Sequence, residues 1–179
     1  MLILFNKPFR VMSQFSPEGD KQTLADFIDI KKVYPAGRLD FDSEGLMLLT
    51  DDGKLQAQIT DPKSNKYKTY WVQVEGEMDR RSLIKLQRGV ALKEGRTLPA
   101  RAKKMDPPAG LWPRNPPIRE RQHIPTSWVE IQIREGKNRQ IRRMTAAVGF
   151  PALRLIRVRI DDYELGDLQP GEYRVVEQV

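Results

Sequence analysis

GRLDFDSEGLMLLTDDG, residues 37–53, sets a cluster of acids directly against an apolar run, and its reading organises the rest of the chain. The run GLMLL, residues 45–49, reads as a buried strand, and Pro35 and Gly37 just before the cluster read as a turn. Asp40 therefore sits on a loop entering a buried strand. After the run, DDGKLQAQIT carries the acidic start of a short helix.

Upstream, MLILFN reads as a short buried strand stopped at Lys7-Pro8, because proline removes a ladder donor and restrains its predecessor. Thr23 can cap a short helix over TLADFI. Downstream, KTYWVQVEG alternates like a strand with Tyr70, Val72 and Val74 on one face, and Asp79 can cap the helix DRRSLIKLQRG, which Gly89 ends. RTLPARAKKM follows as a basic, proline-interrupted strand at a sheet edge. Residues 111–128 hold four prolines and four charged residues without helical or strand period, so an irregular loop is expected there. The strand TSWVEIQI, the basic helix KNRQIRRMTAAVG and the strand LRLIRVRI complete the reading. Irregular alternation with hairpin-length connections predicts an α+β fold on a mixed, largely antiparallel sheet, in a single domain over residues 1–179 that two lobes could divide.

Composition narrows the function classes. Thirty-one Lys+Arg against 24 Asp+Glu give a net charge of +7, which suits a polyanionic partner. There is no cysteine, so disulfides and thiolate metal sites are excluded, and a single histidine, His123 in the proline-rich stretch, gives triads and metal centres little support. No apolar run is long enough to span a bilayer and the N-terminus lacks a secretory core, so a soluble cytoplasmic protein is expected. No GxGxxG or Walker sequence is present to bind a nucleotide cofactor.

Three readings compete for the acid cluster. Asp40, Asp42 and Glu44 with Gly45 imitate the spacing of a calcium loop, but Leu48 and Asp51 fall where ligands belong, and Pro35 and Gly37 spoil the entering helix. Sugar hydrolysis also needs two carboxylates, which the segment offers. The plainest reading is a solvated acidic turn before a core strand. The residues alone leave these alternatives open.

GRLDFDSEGLMLLTDDG, followed in order by KTYWV and EGKNRQIRRM, resembles the three active-site motifs of the RsuA-type branch of the pseudouridine synthases. The resemblance spans nearly the whole chain and implies that family's fold, with a basic active-site cleft, and an isomerase that converts uridine to pseudouridine in structured ribosomal RNA without cofactor or metal. It implies Asp40 as the essential aspartate, Tyr70 as the ring against the target uracil and Arg142 as the cation paired with Asp40. That chemistry is coherent: the ribose C1′–N1 bond breaks, the base turns, C1′ joins C5, and a carboxylate can act as nucleophile or base. A uracil lifted from its stack needs a flat apolar partner.

In KNRQIRRMTAAVG, Ile141, Met144 and Val148 recur at helical spacing and should face the core, with Arg139 and Arg143 opposite and Arg142 at the boundary. Family motifs also nominate Arg38, Lys7, Lys137, Asn138, Gln140 and Arg143 for RNA binding, while Arg114, Arg119 and Arg121 are surface candidates. Phe41 departs from the more polar residue common beside the aspartate. Many members of this branch carry an N-terminal RNA-binding domain of the S4 type; here recognition is expected to fall on the domain's own basic surface and loops. A monomer acting on a ribosomal RNA stem-loop is the expected state.

Overall fold

The computed structural model describes residues 1–119, 121 and 123–177. In chain order its principal elements are β1 (Leu2–Lys7), β2 (Glu44–Thr50), α1 (Gly53–Thr60), β3 (Lys68–Glu75), α2 (Arg80–Arg88), β4 (Arg101–Met105), β5 (Thr126–Ile133), α3 (Gln140–Ala147), β6 (Ala152–Ile160) and β7 (Tyr173–Val176). They divide into two compact units, Met1–Ser64 with Arg157–Val179, and Asn65–Ile156.

In the first unit β1 pairs antiparallel with β2 on one side and β7 on the other, in registers running from Leu2 opposite Thr50 and Val176. Every residue of β1 and β2 is buried, which is why both read as continuous apolar runs rather than alternating strands. Ile3, Phe5, Met47 and Leu49 form a core with Leu24, Ile28, Val33 and Leu39. TLADFI folds as a 3-10 turn over Leu24–Asp26 with Thr23 and Asp26 in a reciprocal cap. α1 is capped by Asp52, whose carboxylate accepts from the N–H groups of Lys54 and Leu55. Gly45 has φ +112, and a Cβ there would lie 2.2 Å from the Arg157 carbonyl, so only glycine permits this approach between β2 and β6.

In the second unit β5 lies between β3 and the edge strand β4, both antiparallel to it. Tyr70, Val72 and Val74 pack against Val129, Ile131 and Ile133, with Leu86 of α2 and Ile141 and Met144 of α3. Asp79 and Gly89 bracket α2 as the sequence requires.

Three features depart from the sequence reading. α3 begins at Gln140 rather than near Lys137, because Arg139 adopts a left-handed conformation and ends a turn closed by the Gln140 N–H to Lys137 carbonyl bond. Strand β7 carries no clean alternation in YRVV and was not expected; its pairing with β1 defines it. The loop expected over 111–128 gives way to β5 at Thr126. Glu120 and Gln122, within that loop, lie outside the described residues. Among the described residues no helix is long and apolar enough to cross a membrane.

Candidate active site

Asp40 belongs to the first unit and stands half-exposed on the loop leading into β2. The loop backbone is held on both sides of it. The Ser13 hydroxyl donates to the Leu39 carbonyl at 2.6 Å and accepts from the Leu39 N–H at 3.1 Å. On the other side the Arg10 N–H donates to the Phe41 carbonyl at 2.8 Å, and the Ser43 N–H donates to the Asp40 carbonyl at 3.0 Å. Leu39, 7% exposed, drives its side chain into the core, so the flanking residue anchors while Asp40 is presented. A carboxylate on so constrained a backbone needs little reorganisation to reach a reacting atom. Arg38 is exposed beside it, and Lys21 lies 5.2 Å from the centre of the Phe41 ring.

Lys7 is corrected by the structure: 0% exposed, it has no surface to offer a phosphate. Its ammonium donates to the carbonyls of Pro8 at 2.8 Å and Val11 at 2.9 Å. Burial pushes its pKa down to about 7, opposed by the negative charges of Glu44, Asp42 and Asp40, with Arg157 adding to the lowering. Lys7 is thus a buried amine close to the charges of the acid-rich loop, its own positive charge weakened by burial. A lysine directly before a proline at a strand end carried no signal of such burial.

Tyr70 and Arg142 belong to the second unit. Tyr70, 8% exposed, lies on the core face of β3 opposite Ile131 and packs as a core aromatic. Arg142 is half-buried on the first turn of α3, at the boundary that the helical spacing indicated. The turn ahead of it is fixed by its own side chains. Gln140, 3% exposed, donates through Nε2 to Glu135 Oε1 at 2.8 Å and accepts through Oε1 from the Lys137 N–H at 3.1 Å. Glu135 Oε1 also accepts from the Leu98 N–H at 2.8 Å.

This corrects a second assignment, because a buried Gln140 spends both ends of its amide inside the protein and leaves none for RNA. Arg143 is likewise committed. Its Nε and Nη2 donate to the Asn138 carbonyl at 3.0 and 2.6 Å, and it pairs with Glu94, whose carboxyl it holds below the usual range. Lys137 is half-buried, while Asn138 and Arg139 are exposed on the turn. Of the surface candidates, Arg114 folds back onto the loop, donating to the carbonyls of Pro116, Pro117 and Leu153 at 2.9 to 3.1 Å. Arg121 faces Glu75 at 3.8 Å, and Arg119 is exposed. Sequence reasoning missed Ser13 and Glu135 altogether: Ser13 is 26 positions from the residue it clamps, and Glu135 reads as one more surface acid.

The family model described as RNA pseudouridylate synthase matches residues 1–147, from β1 through α3. The chain belongs to the RNA pseudouridylate synthase family. Among its relatives, the ribosomal large subunit pseudouridine synthase E of Vibrio parahaemolyticus is 56% identical over 98% of this chain and 74% of its own length. The protein of the same name from Xanthomonas campestris is 54% identical over 98% of this chain and 95% of its own. A crystal structure of a pseudouridylate synthase, 31% identical, matches with a TM-score of 0.81 over 98% of this chain and 70% of that one. This pseudouridine synthase is therefore an RNA isomerase with the family's α+β fold, and an aspartate nucleophile is a general feature of its family.

Proposed function

We propose that this chain isomerises a uridine of large-subunit ribosomal RNA to pseudouridine, with Asp40 as the nucleophile, Tyr70 against the target uracil and Arg142 as the cation that keeps Asp40 ionised. The observation that carries the reading is the Asp40 loop, in which a half-exposed carboxylate stands between two backbone clamps, in a chain whose relatives bear the name of large-subunit synthases. The bond from ribose C1′ to uracil N1 breaks, C1′ joins C5, and the C5 proton leaves as N1 regains one, so atoms and electrons balance without an external reagent. An aspartate lacking a counter-charge would tend to take up a proton and lose its nucleophilicity, which is the work assigned to Arg142.

The substrate is a folded stem-loop, because the wide minor groove of an RNA helix offers little base discrimination and a uridine must be extruded for reaction. Arg38, Lys137 and Asn138 are the remaining candidates to hold it, as Lys7, Gln140 and Arg143 are engaged within the protein. The chain acts as a monomer in the cytoplasm. The test is to incubate the purified protein with transcribed large-subunit ribosomal RNA and map pseudouridine by carbodiimide-dependent reverse-transcription stops. One new stop within a stem-loop is expected; stops in no RNA, or equal modification of an unstructured oligonucleotide of the same sequence, would overturn the reading.

A further inference from the structure

Several basic side chains on this protein have an acid beside them. Lys103 faces Glu130, Lys104 pairs with Glu77, Arg143 with Glu94, and Arg159 with Glu164 and Asp162. One group in the second unit breaks that pattern. Tyr67, just ahead of β3, carries the Arg101 guanidinium 3.9 Å from its ring centre and the Arg134 guanidinium at 5.5 Å. Arg101 is exposed on the edge strand β4, while Tyr67 and Arg134 are half-buried. Among the described residues neither arginine has a carboxylate partner. Arg101 has a neutral one, donating from Nη1 to Gln132 Oε1 at 3.3 Å, and the buried Nε of Arg134 meets no acceptor.

Two like charges around one ring repel, and stacking on the aromatic face offsets only part of that cost. What would complete the arrangement is an anion held between the guanidinium edges. The N–H groups of a guanidinium form a rigid fork that matches two oxygens of a phosphate. Glu135, the acid adjoining Arg134 in the chain, has its Oε1 engaged by Leu98 and Gln140.

We infer that Tyr67, Arg101 and Arg134 form a phosphate-binding site for the RNA backbone, apart from the residues that carry the reaction. It rests on the proposed RNA substrate and deepens it: the site grips a phosphodiester of the same molecule and supplies affinity, not chemistry. Arg101 contributes the bidentate contact, Tyr67 the platform that preorganises it, and Arg134 a second positive charge near the same ring.

The experiment uses the full chain and transcribed large-subunit ribosomal RNA, reading filter-binding affinity across a salt series and single-turnover pseudouridine formation at saturating RNA. Arg101→Ala should weaken binding about five- to tenfold at moderate salt and lower the salt slope by about one, with the saturated rate unchanged. Tyr67→Leu keeps both charges and should lose affinity with little change in slope. Arg101→Lys should restore the slope but only part of the affinity, because an ammonium lacks the fork. Lys85→Ala, which removes an exposed charge from α2, is the control for net charge. Equal losses for Arg101→Ala and Lys85→Ala, an unchanged affinity for Arg101→Ala, or full recovery by Arg101→Lys would each overturn the site. Absence of pseudouridine with the unaltered protein would instead sink the proposed function, so the two failures are distinguishable.

Discussion

The loop that presents Asp40 and the turn that precedes Arg142 solve the same problem by different routes. Each must hold an ionisable side chain at a fixed place on irregular backbone, and each does so with a small polar clamp that is itself buried. For Asp40 the clamp is remote: Ser13 fastens both backbone groups of Leu39 across 26 positions of sequence. For Arg142 the clamp is mainly local, with Glu135, Lys137 and Gln140 closing on one another within five residues and Glu135 also held by the distant Leu98 N–H. A remote clamp forms only when the whole unit has folded, whereas a local one also limits the conformations of the nearby chain. The Asp40 loop should therefore be the more sensitive of the two to loss of packing.

The largest effect that would test this contrast is at the presented group. Asp40→Asn keeps shape and loses charge, so pseudouridine formation should fall by about a thousandfold or more while melting temperature and RNA affinity stay close to those of the unaltered protein. A residual rate above that level would break the assignment of Asp40, whatever holds its loop.

Next in size is a pH dependence beneath the same loop. The Lys7 pKa lies at about 7 in the fold, below its ordinary value of 10.5. The unfolded chain therefore binds more protons than the folded one between those values, and stability contributed at this residue rises with pH across that window. The burial penalty is fully present below about pH 7 and is relieved by about 10.5. Lys7→Met should flatten the rise, by an amount on the order of a few kcal/mol, in denaturant titrations run from pH 7 to 10.5. Parallel curves for the two proteins would show that Lys7 remains equally protonated in both states.

The two clamps can then be compared directly. Ser13→Ala leaves the buried N–H and carbonyl of Leu39 without their partner and should cost about 2 to 4 kcal/mol of stability, with a clear fall in turnover. Gln140→Leu fills the same space and removes the local clamp; about 1 to 2 kcal/mol is expected, with a smaller loss of rate. Denaturant melts and single-turnover assays on both variants read the difference. A larger loss for Gln140→Leu would reverse the ranking of remote over local.

Much of the architecture was legible because its causes are local. The apolar runs of β1 and β2, the Asp79 cap of α2, the alternation that aligns Tyr70 with Val72 and Val74, and the spacing of Ile141 and Met144 each rest on neighbours in the chain. The same is true of Asp40 on a loop before a buried strand. Strand β7 was not legible, since YRVV becomes a strand by pairing with β1 from the far end of the chain.

Side-chain type and periodicity determined which segments are strands and which helical face is apolar, and resemblance to the family marked the motifs tied to its chemistry. They did not determine the burial of a polar residue. Lys7, Gln140 and Arg143 are the residue types that bind RNA elsewhere, yet here one is sealed beneath the acid loop, one closes a turn and one is spent on Glu94 and Asn138. Tertiary structure decided those roles. The cost of burying a charge or an amide depends on which partners the folded chain brings within hydrogen-bonding distance, and those partners need not be close in sequence.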